Sequence, residues 1–296
     1  MFGTTKVEGI AFDATQNEGL YETLGAINVS RREAQRKNIQ VLFAIDFKEL
    51  SKNGVKIERE DRLTPFDKAV HNAVATLWVA GHQEGKKFNE FLTPRIIFQL
   101  LSGNTNESRE IGPEIRKAIL RSIDKMRNTE ISIDNSEEAK KFGYEKLKYK
   151  SSLLPSERIE GVRINGNEVL DCIHILRKPP LFDYADIKNQ VGSVDIKTLK
   201  VPIKNTCENI ELKDYLLMRI LSIKNSKSNL SPTIRYSTVY DYLRIHAATP
   251  KALAKKKEKV RKNILTLLDA WISTGFISSY SEDKEGRTRA KVTIKV

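Results

Sequence analysis

The chain of 296 residues carries 51 lysines and arginines against 38 aspartates and glutamates, a formal net charge of +13 at pH 7. This length predicts about two domains, and the charge favours a polyanionic partner, either nucleic acid or an acidic membrane surface. The two cysteines, Cys172 and Cys207, are too few for a disulfide framework or a closed zinc site, so we expect two reduced thiols.

Residues 1–38 lack sustained periodicity and are predicted to form an amino-terminal arm that ends in a basic cluster, Arg31, Arg32, Arg36 and Lys37. The arm contains no basic stretch followed by an apolar run. No later segment approaches the roughly 20 apolar residues that span a bilayer. We therefore predict a cytoplasmic protein with no membrane partner.

The first predicted domain covers residues 39–180. Its predicted elements are a strand at Gln40–Phe47, helices that start at Thr64-Pro65, Thr93-Pro94 and Gly112-Pro113, and a short strand at Lys87–Leu92 between the first two helices. The helix starts are indicated because a threonine side chain can cap free backbone N–H groups, and proline in a first turn loses no hydrogen bond. Gly81 and Gly103 are the predicted stops of the first two helices.

The rest of this domain is predicted to consist mainly of strands. Glu130–Asp134 is typical of a strand, and a polar insertion follows at residues 135–157. Arg158–Ile164 and Glu168–Leu176 are predicted strands joined by Asn165-Gly166, a pair that favours a hairpin turn because both residues tolerate positive φ. Residues 181–208 carry prolines and scattered charges without a long helical pattern, so we interpret them as a linker.

The second predicted domain, residues 209–296, repeats this order of elements. They are a helix from Asn209 to Lys224, a short strand at Pro232–Tyr236, a short helix from Ser237, a long helix from Thr249-Pro250 to Gly275, and strands at Phe276–Tyr280 and Arg287–Val296 around a turn at Glu282–Gly286. Helix, strand, helix, helix and hairpin are the elements of a winged-helix domain. The sequence therefore predicts an α+β fold with two winged-helix domains in tandem.

The long helix of the second domain divides into an apolar and a basic side. At about 100° per residue, one stripe contains Leu253, Val260, Ile264, Leu267, Leu268 and Trp271, and the opposite side contains Lys251, Lys255, Lys259 and Lys262. The lysines are concentrated near the amino end, where the helix macrodipole disfavours cations. Insertion of that end into a DNA major groove explains the pattern, because phosphates would neutralise the lysines.

We predict that this helix and the strand after it contact double-stranded DNA, with a sparser contribution from the third helix of the first domain. The predicted contact residues are Lys251, Lys255, Lys256, Lys259, Arg261, Lys262, Arg287, Arg289, Lys117, Arg121 and Lys125. The alternative for each basic face is a solvated surface without a ligand. Trp78 and Trp271 lie in or beside apolar stripes and are predicted to be core residues.

An enzymatic function is weakly indicated. His174-Ile-Leu-Arg177 matches the His-x-x-Arg spacing of tyrosine recombinases, but a strand-like run stands where a helix would be expected. The sequence has no phosphate-binding loop and no paired-carboxylate metal motif. We predict no enzyme activity, no catalytic residues, no cofactor and no metal, and a DNA strand-transfer enzyme is the alternative.

Over about residues 40–296 the chain resembles the replication initiator (Rep) proteins of plasmids and related mobile elements, the tandem winged-helix class. The resemblance rests on Leu63-Thr-Pro-Phe-Asp-Lys-Ala-Val70, Leu92-Thr-Pro-Arg-Ile-Ile-Phe98, Arg121-Ser-Ile-Asp-Lys-Met-Arg-Asn-Thr129 and the final helix with its hairpin. The insertion at 135–157 and the segment 179–209 depart from a compact tandem pair.

The resemblance implies binding to origin repeats through both winged helices, recruitment of a host initiator and a replicative helicase, and a possible homodimer. A winged-helix transcription regulator is the alternative within the DNA-binding class, because it would make the same DNA contacts without a helicase partner. Fold analogy alone does not decide between them.

Overall fold

A computed structural model describes residues 4–7, 10–13, 40–43, 55–59, 63–82, 91–103, 111–162, 169–187, 191–225, 230–286 and 288–296. The chain divides into two compact units, residues 1–193 and 194–296, which we call the first unit and the second unit. Both contain helices and small antiparallel sheets, which confirms the predicted α+β class. The predicted domain boundaries stay predictions, and the basic cluster of the predicted arm lies outside the described residues.

The described helices of the first unit are α1 (Pro65–His82), α2 (Pro94–Ser102), α3 (Pro113–Asn128), α4 (Ser136–Ala139) and α5 (Pro180–Ile187). Its described strands are β1 (Thr4–Val7), β2 (Ile10–Asp13), β3 (Gln40–Phe43), β4 (Val55–Arg59), β5 (Phe91–Leu92), β6 (Glu130–Asp134), β7 (Lys148–Ser152), β8 (Ser156–Val162) and β9 (Val169–Ile175), and β10 (Gly192–Asp195) spans the boundary between the units.

Local capping fixes the start of the first two helices, as predicted. The backbone N–H of Thr64 donates to Asp67 Oδ2 at 2.6 Å, and the backbone N–H of Asp67 donates back to Thr64 Oγ1 at 3.3 Å. This reciprocal pair satisfies donors that a helix start leaves open. Thr93 Oγ1 accepts from the Ile96 N–H, and Gly103 closes α2 with a φ of 63°. The apolar faces of α1, α2 and α3 pack together as the core of this unit.

The described part of the first unit contains two three-stranded antiparallel sheets, in the orders β5-β9-β8 and β4-β6-β7, and an antiparallel pair, β1-β2. The β8–β9 pairing agrees with the predicted hairpin, whose Asn165-Gly166 turn lies outside the described residues. The predicted polar insertion, residues 135–157, contains α4, a 3-10 turn and strand β7. β7 was not predicted from the sequence, because its alternation is carried by lysines and serines rather than apolar residues.

The segment that we interpreted as a linker, residues 181–208, contains regular structure. Helix α5 occupies its start, with Leu181 and Phe182 buried. A 3-10 turn at Ile196–Leu199 follows β10, and both Ile196 and Leu199 are buried. These side chains explain why a segment without a long helical period is nevertheless ordered: burial of its apolar residues stabilises short elements.

The second unit contains α6 (Cys207–Asn225), β11 (Thr233–Arg235), α7 (Tyr236–Tyr242), α8 (Pro250–Ser273), β12 (Ser279–Glu285) and β13 (Thr288–Lys295). Its sheet has the order β11-β13-β12. The predicted stripe is confirmed from Val260 onward, since Val260, Ile264, Leu267, Leu268 and Trp271 are buried in α8, whereas its first member, Leu253, is only half-buried. The indole Nε1 of Trp271 donates to the Thr198 carbonyl at 2.9 Å, so the only polar atom of this buried ring is satisfied.

The predicted turn at Glu282–Gly286 is wrong. Strand β12 continues to Glu285, and the chain reverses at Gly286, which has a φ of 64°. Glu282 and Asp283 are tolerated inside a strand because both carboxylates have donors. Glu282 accepts hydrogen bonds from three side chains, and Asp283 accepts one from the Thr293 hydroxyl at 2.9 Å.

Candidate nucleic-acid interface

The amino-terminal part of α8 stands clear of the core of the second unit. No residue from Pro250 to Lys259 is buried, and Val260 is the first residue of the helix that is. Ten residues of α-helix are about 15 Å long. Thr249 caps this end by accepting from the Ala252 N–H at 3.3 Å, and alanine and lysine, both strong helix formers, fill much of the segment. The sequence can therefore keep this end helical although none of its residues is buried.

Four lysines on α8 face solvent together. Lys251, Lys255, Lys259 and Lys262 are all exposed, and they fall within an arc of about 80° at 3.6 residues per turn, opposite the buried stripe. Within the described part of the chain none of the four forms an ion pair. We call these residues the lysine face. Its four charges repel one another, so binding of a polyanion would be favourable.

Three other predicted contacts of the second unit, Lys256, Arg261 and Arg289, pair with carboxylates. Lys256 Nζ lies 3.4 Å from Glu208. Arg261 forms a bidentate pair with Glu258, at 2.8 and 2.7 Å, and its Nη1 also donates to Glu282 at 2.6 Å. Arg289 donates to Glu282 as well. The structure thus places Arg261 and Arg289 in a network within the unit, whereas no described carboxylate forms an ion pair with the lysine face.

Glu282 is the centre of that network and was not singled out from the sequence. Its carboxylate accepts from Tyr236 at the start of α7, from Arg261 on α8 and from Arg289 on β13. Burial alone would raise the pKa of Glu282, but the hydrogen bonds from Tyr236 and Arg261 hold it below its usual value. Burial and the bond to Glu282 raise the pKa of Tyr236, which keeps it a donor. The β12–β13 hairpin is therefore fixed against α8.

Arg287, a predicted contact, lies outside the described residues. Lys257 was not predicted, and its Nζ lies 5.4 Å from the centre of the Tyr240 ring, within the range of a cation–π interaction. Lys257 lies in the run Lys255-Lys-Lys257, which marks it as basic, but the sequence of the run does not indicate that Tyr240 is its partner.

The three predicted contacts of the first unit do not form a comparable face. Lys125 Nζ lies 2.8 Å from Asp67 Oδ2 on α1, and the Asp67 side chain is only 3% exposed. Lys117 pairs with Glu114 at 3.4 Å, on the surface. Arg121 is exposed and forms no ion pair in the described ranges. Of the three, Lys125 is engaged inside the fold, so its charge is directed at Asp67.

The residues of the recombinase-like spacing are occupied in contacts of the first unit. The His174 ring stacks on Phe91 with centres 4.4 Å apart, and Arg177 donates to Ser151 Oγ at 2.5 Å while it lies over the Tyr149 ring. His174 belongs to a strand, β9. Both cysteines are free thiols. Among the described residues no cluster of three or more His, Cys, Asp or Glu is placed to hold a metal ion, and no described helix could cross a membrane.

The solved structures that resemble the chain include two of the same protein. The chain is similar to the crystal structure of domains 2 and 3 of RctB, determined with selenomethionine derivatives, at 15% identity and a TM-score of 0.41, over 93% of this chain and 98% of that chain. A second structure of RctB domains 2-3 gives 14% identity and 0.41, over 82% and 86%. No protein-family model and no curated protein sequence matches the chain. Similarity at this level does not establish a shared fold, and function is therefore inferred from this chain's own residues.

Proposed function

We propose that the chain is a sequence-specific double-stranded DNA-binding protein that reads duplex DNA through the amino-terminal end of α8. The observation that carries this proposal is the lysine face: four exposed lysines that form no ion pair with any described residue, at the end of a helix where no residue before Val260 is buried. A cost in helix stability accompanies cations at that end. Phosphates of a DNA groove would supply the missing negative charge and release counterions.

The topology supports two winged-helix domains. In the second unit the order is helix, strand, helix, helix and hairpin, and the first strand pairs with the last strand of the hairpin. The first unit has the same order from α1 to β9, with the sheet order β5-β9-β8 equivalent to β11-β13-β12, and residues 130–152 inserted before the hairpin. This order is that of the winged-helix variant of the helix-turn-helix motif.

Within this class we propose a replication initiator with no enzymatic activity. The sequence resemblance described above supports this choice, and recruitment of a host initiator and a helicase stays an implication of that resemblance. Two units that differ in charge also fit an asymmetric site with two unlike halves better than a palindrome. Copies of such a site in the same orientation are direct repeats.

The decisive experiment is selection of bound duplex fragments from the DNA that surrounds the gene, followed by footprinting with the full chain. Clustered direct repeats, with an asymmetric footprint on each, are the expected result. A single promoter palindrome protected by a dimer would replace the initiator with a transcription regulator. Absence of any preferred fragment would contradict sequence-specific binding altogether.

The absence of catalysis is tested separately. Supercoiled DNA incubated with the chain and a divalent metal is expected to stay unnicked, with no protein attached to a DNA end. A trapped covalent adduct would instead support the strand-transfer alternative and direct attention to His174 and Arg177.

A further inference from the structure

A cavity of about 550 Å³ lies in the second unit, between α6, β11, α7 and β13. Three cationic side chains line it, each from a different element: Arg219 of α6, Arg235 of β11 and Lys291 of β13. Ser231, Thr233 and Thr238 add hydroxyl groups. None of the described residues that line this cavity is acidic. Its lining is therefore positively charged and rich in hydrogen-bond donors.

The strand register places two of these cations directly opposite each other. Arg235 is the Cα partner of Lys291 in the antiparallel pair β11–β13. Like charges directly across a sheet destabilise it by a few tenths of a kcal/mol to about 1 kcal/mol. A hydrophobic or mixed-charge pair at this position would stabilise the sheet better. An anion bound between the two side chains would remove the repulsion.

The carboxylates near the cavity do not occupy all the N–H donors of its three cationic side chains. Glu285 lies 3.6 Å from Arg235 in a pair whose side chains are both more than half exposed. Asp283 is the register partner of Lys291 on the other side of β13, but its Oδ2 accepts from Thr293, and Lys291 forms no ion pair in the described residues. Arg219 Nη2 donates to the Ser231 carbonyl at 2.8 Å. A guanidinium has five N–H donors, so most of those of Arg219 remain for a ligand.

Guanidinium, ammonium and hydroxyl donors around one cavity match the geometry of a tetrahedral oxyanion. Arginine pairs with phosphate through two parallel hydrogen bonds, and such charge-assisted bonds are about twice as strong as neutral ones. A carboxylate ligand would engage one arginine well but would leave the remaining donors unmatched. Each phosphate oxygen accepts more than one hydrogen bond, so even the two non-bridging oxygens of a phosphodiester can engage three cations, and their tetrahedral placement suits donors that come from three elements.

We propose that this cavity binds a phosphate group through Arg219, Arg235 and Lys291. The phosphate can belong to a DNA backbone, in which case the site positions the second unit on the duplex that the lysine face reads and the inference rests on the proposed function. It can also belong to a free phosphate or a nucleotide. The chemistry of the cavity is the same in both cases, and only a measurement with each source separates them.

The test compares the full-length chain with Arg219→Gln/Lys291→Gln and with the control Lys295→Gln, an exposed lysine on β13 outside the cavity lining. Duplex affinity is measured over a series of salt concentrations, and inorganic phosphate and ATP are titrated calorimetrically. If the phosphate is that of DNA, the log–log salt slope of the double variant is expected to fall by about 2, close to 0.9 per lost contact, while the control loses at most one contact.

A free-phosphate site gives a different result: calorimetric binding of phosphate or ATP by the unmodified chain, lost in the double variant, with an unchanged salt slope for duplex DNA. Circular dichroism establishes that the double variant is folded, and Arg235→Gln repeats the test at the third cation. Should both cavity variants match the unmodified chain in slope and in phosphate binding, the proposal is overturned. The phosphate titration stands even if the chain binds no duplex, so the two proposals fail separately.

Discussion

The two units share an order of elements but use their long third helix differently. In the first unit Lys125 of α3 pairs with the buried carboxylate of Asp67 on α1. In the second unit Arg261 joins α8 to the hairpin through Glu282, and the lysine face of the same helix is left without ion pairs in the described residues. The same order of elements thus occurs with a helix whose Lys125 is paired inside the unit, α3, and with a helix that presents unpaired lysines among the described residues, α8. The order of elements alone does not predict which unit has basic side chains available for a ligand, because that depends on the partners of each side chain.

Removal of the Lys125 charge gives the largest expected effect. Lys125→Met leaves Asp67, which is 3% exposed, without its cationic partner. We expect the free energy of unfolding to fall by about 3 kcal/mol, because one member of a buried pair is costly to lose. Urea titration followed by circular dichroism measures this loss. Duplex affinity should not change.

The matched control is Lys117→Met, which removes the same charge from the same helix at an exposed pair with Glu114. It should leave stability nearly unaltered. If Lys125→Met instead weakens duplex binding in a folded protein, Lys125 returns to the DNA interface and the contrast between the units is lost.

The second prediction concerns the lysine face. Lys255→Gln/Lys259→Gln/Lys262→Gln should lower duplex affinity on the order of 10²-fold at 0.1 M salt and reduce the log–log salt slope by about 3, because each lysine–phosphate contact contributes about 0.9. Fluorescence anisotropy with a selected duplex measures both quantities. The fold should be retained, since the three side chains lie opposite the buried stripe.

Its control removes three charges from the first unit, at Lys141, Lys146 and Lys150, which are exposed on the insertion. Equal losses in the two triple variants would mean that net charge, rather than the lysine face, governs binding. A larger loss in the variant of the second unit is the expected result.

Local chemistry explains which elements could be predicted from the sequence. Thr64, Thr93 and Thr249 cap the helices that they were expected to start, because each threonine Oγ1 accepts from a backbone N–H only three residues further along the chain. The lysine face follows from the same helical periodicity. Both features depend only on residues that are close in sequence.

The features that sequence analysis missed depend on partners distant in sequence. Lys125 was predicted to face DNA, but its carboxylate partner is 58 residues away. Glu282 was placed in a turn because glutamate and aspartate are rare in strands, and its donor Tyr236 is 46 residues away. A charged residue adopts a strand or an interior position where distant donors satisfy it, and single-sequence patterns do not reveal such donors.

The third prediction uses pH to separate the units. Burial, together with the nearby charge of Lys68, lowers the pKa of His71 in α1 to about 4. Because the unfolded chain binds a proton near pH 6.5 and the folded chain does not until about pH 4, stability is lost as pH falls from 6.5 towards 4. At pH 5 the loss should be about 2 kcal/mol relative to pH 7.

The second unit has a buried basic residue, Lys213, that affects stability over a different pH range. Burial lowers the pKa of Lys213 in α6 to about 7, so its contribution to stability is lost as pH falls from about 10.5 to 7 and changes little below that. Urea titrations at pH 5 and 7 with His71→Gln should therefore show a weaker pH dependence than the unmodified chain. An unchanged dependence in this variant would exclude His71 as its source.

The smallest expected effect tests how the hairpin is held against α8. The hydroxyl of Tyr236 donates to Glu282 at 2.6 Å within a partly buried network, and Tyr236→Phe removes this bond while the ring stays in the core. A loss of about 1 kcal/mol in unfolding free energy is expected, since Arg261 and Arg289 still pair with Glu282.

Tyr280→Phe is the matched control, because Tyr280 donates at 2.8 Å to Asp269 on the exposed surface of α8, where water can replace the lost bond. If the network orients the hairpin for DNA, Tyr236→Phe should weaken duplex binding several-fold and Tyr280→Phe should not. Equal stability losses in the two variants, with duplex binding unaffected in both, would show that the Glu282 network fixes neither the stability nor the orientation of the hairpin.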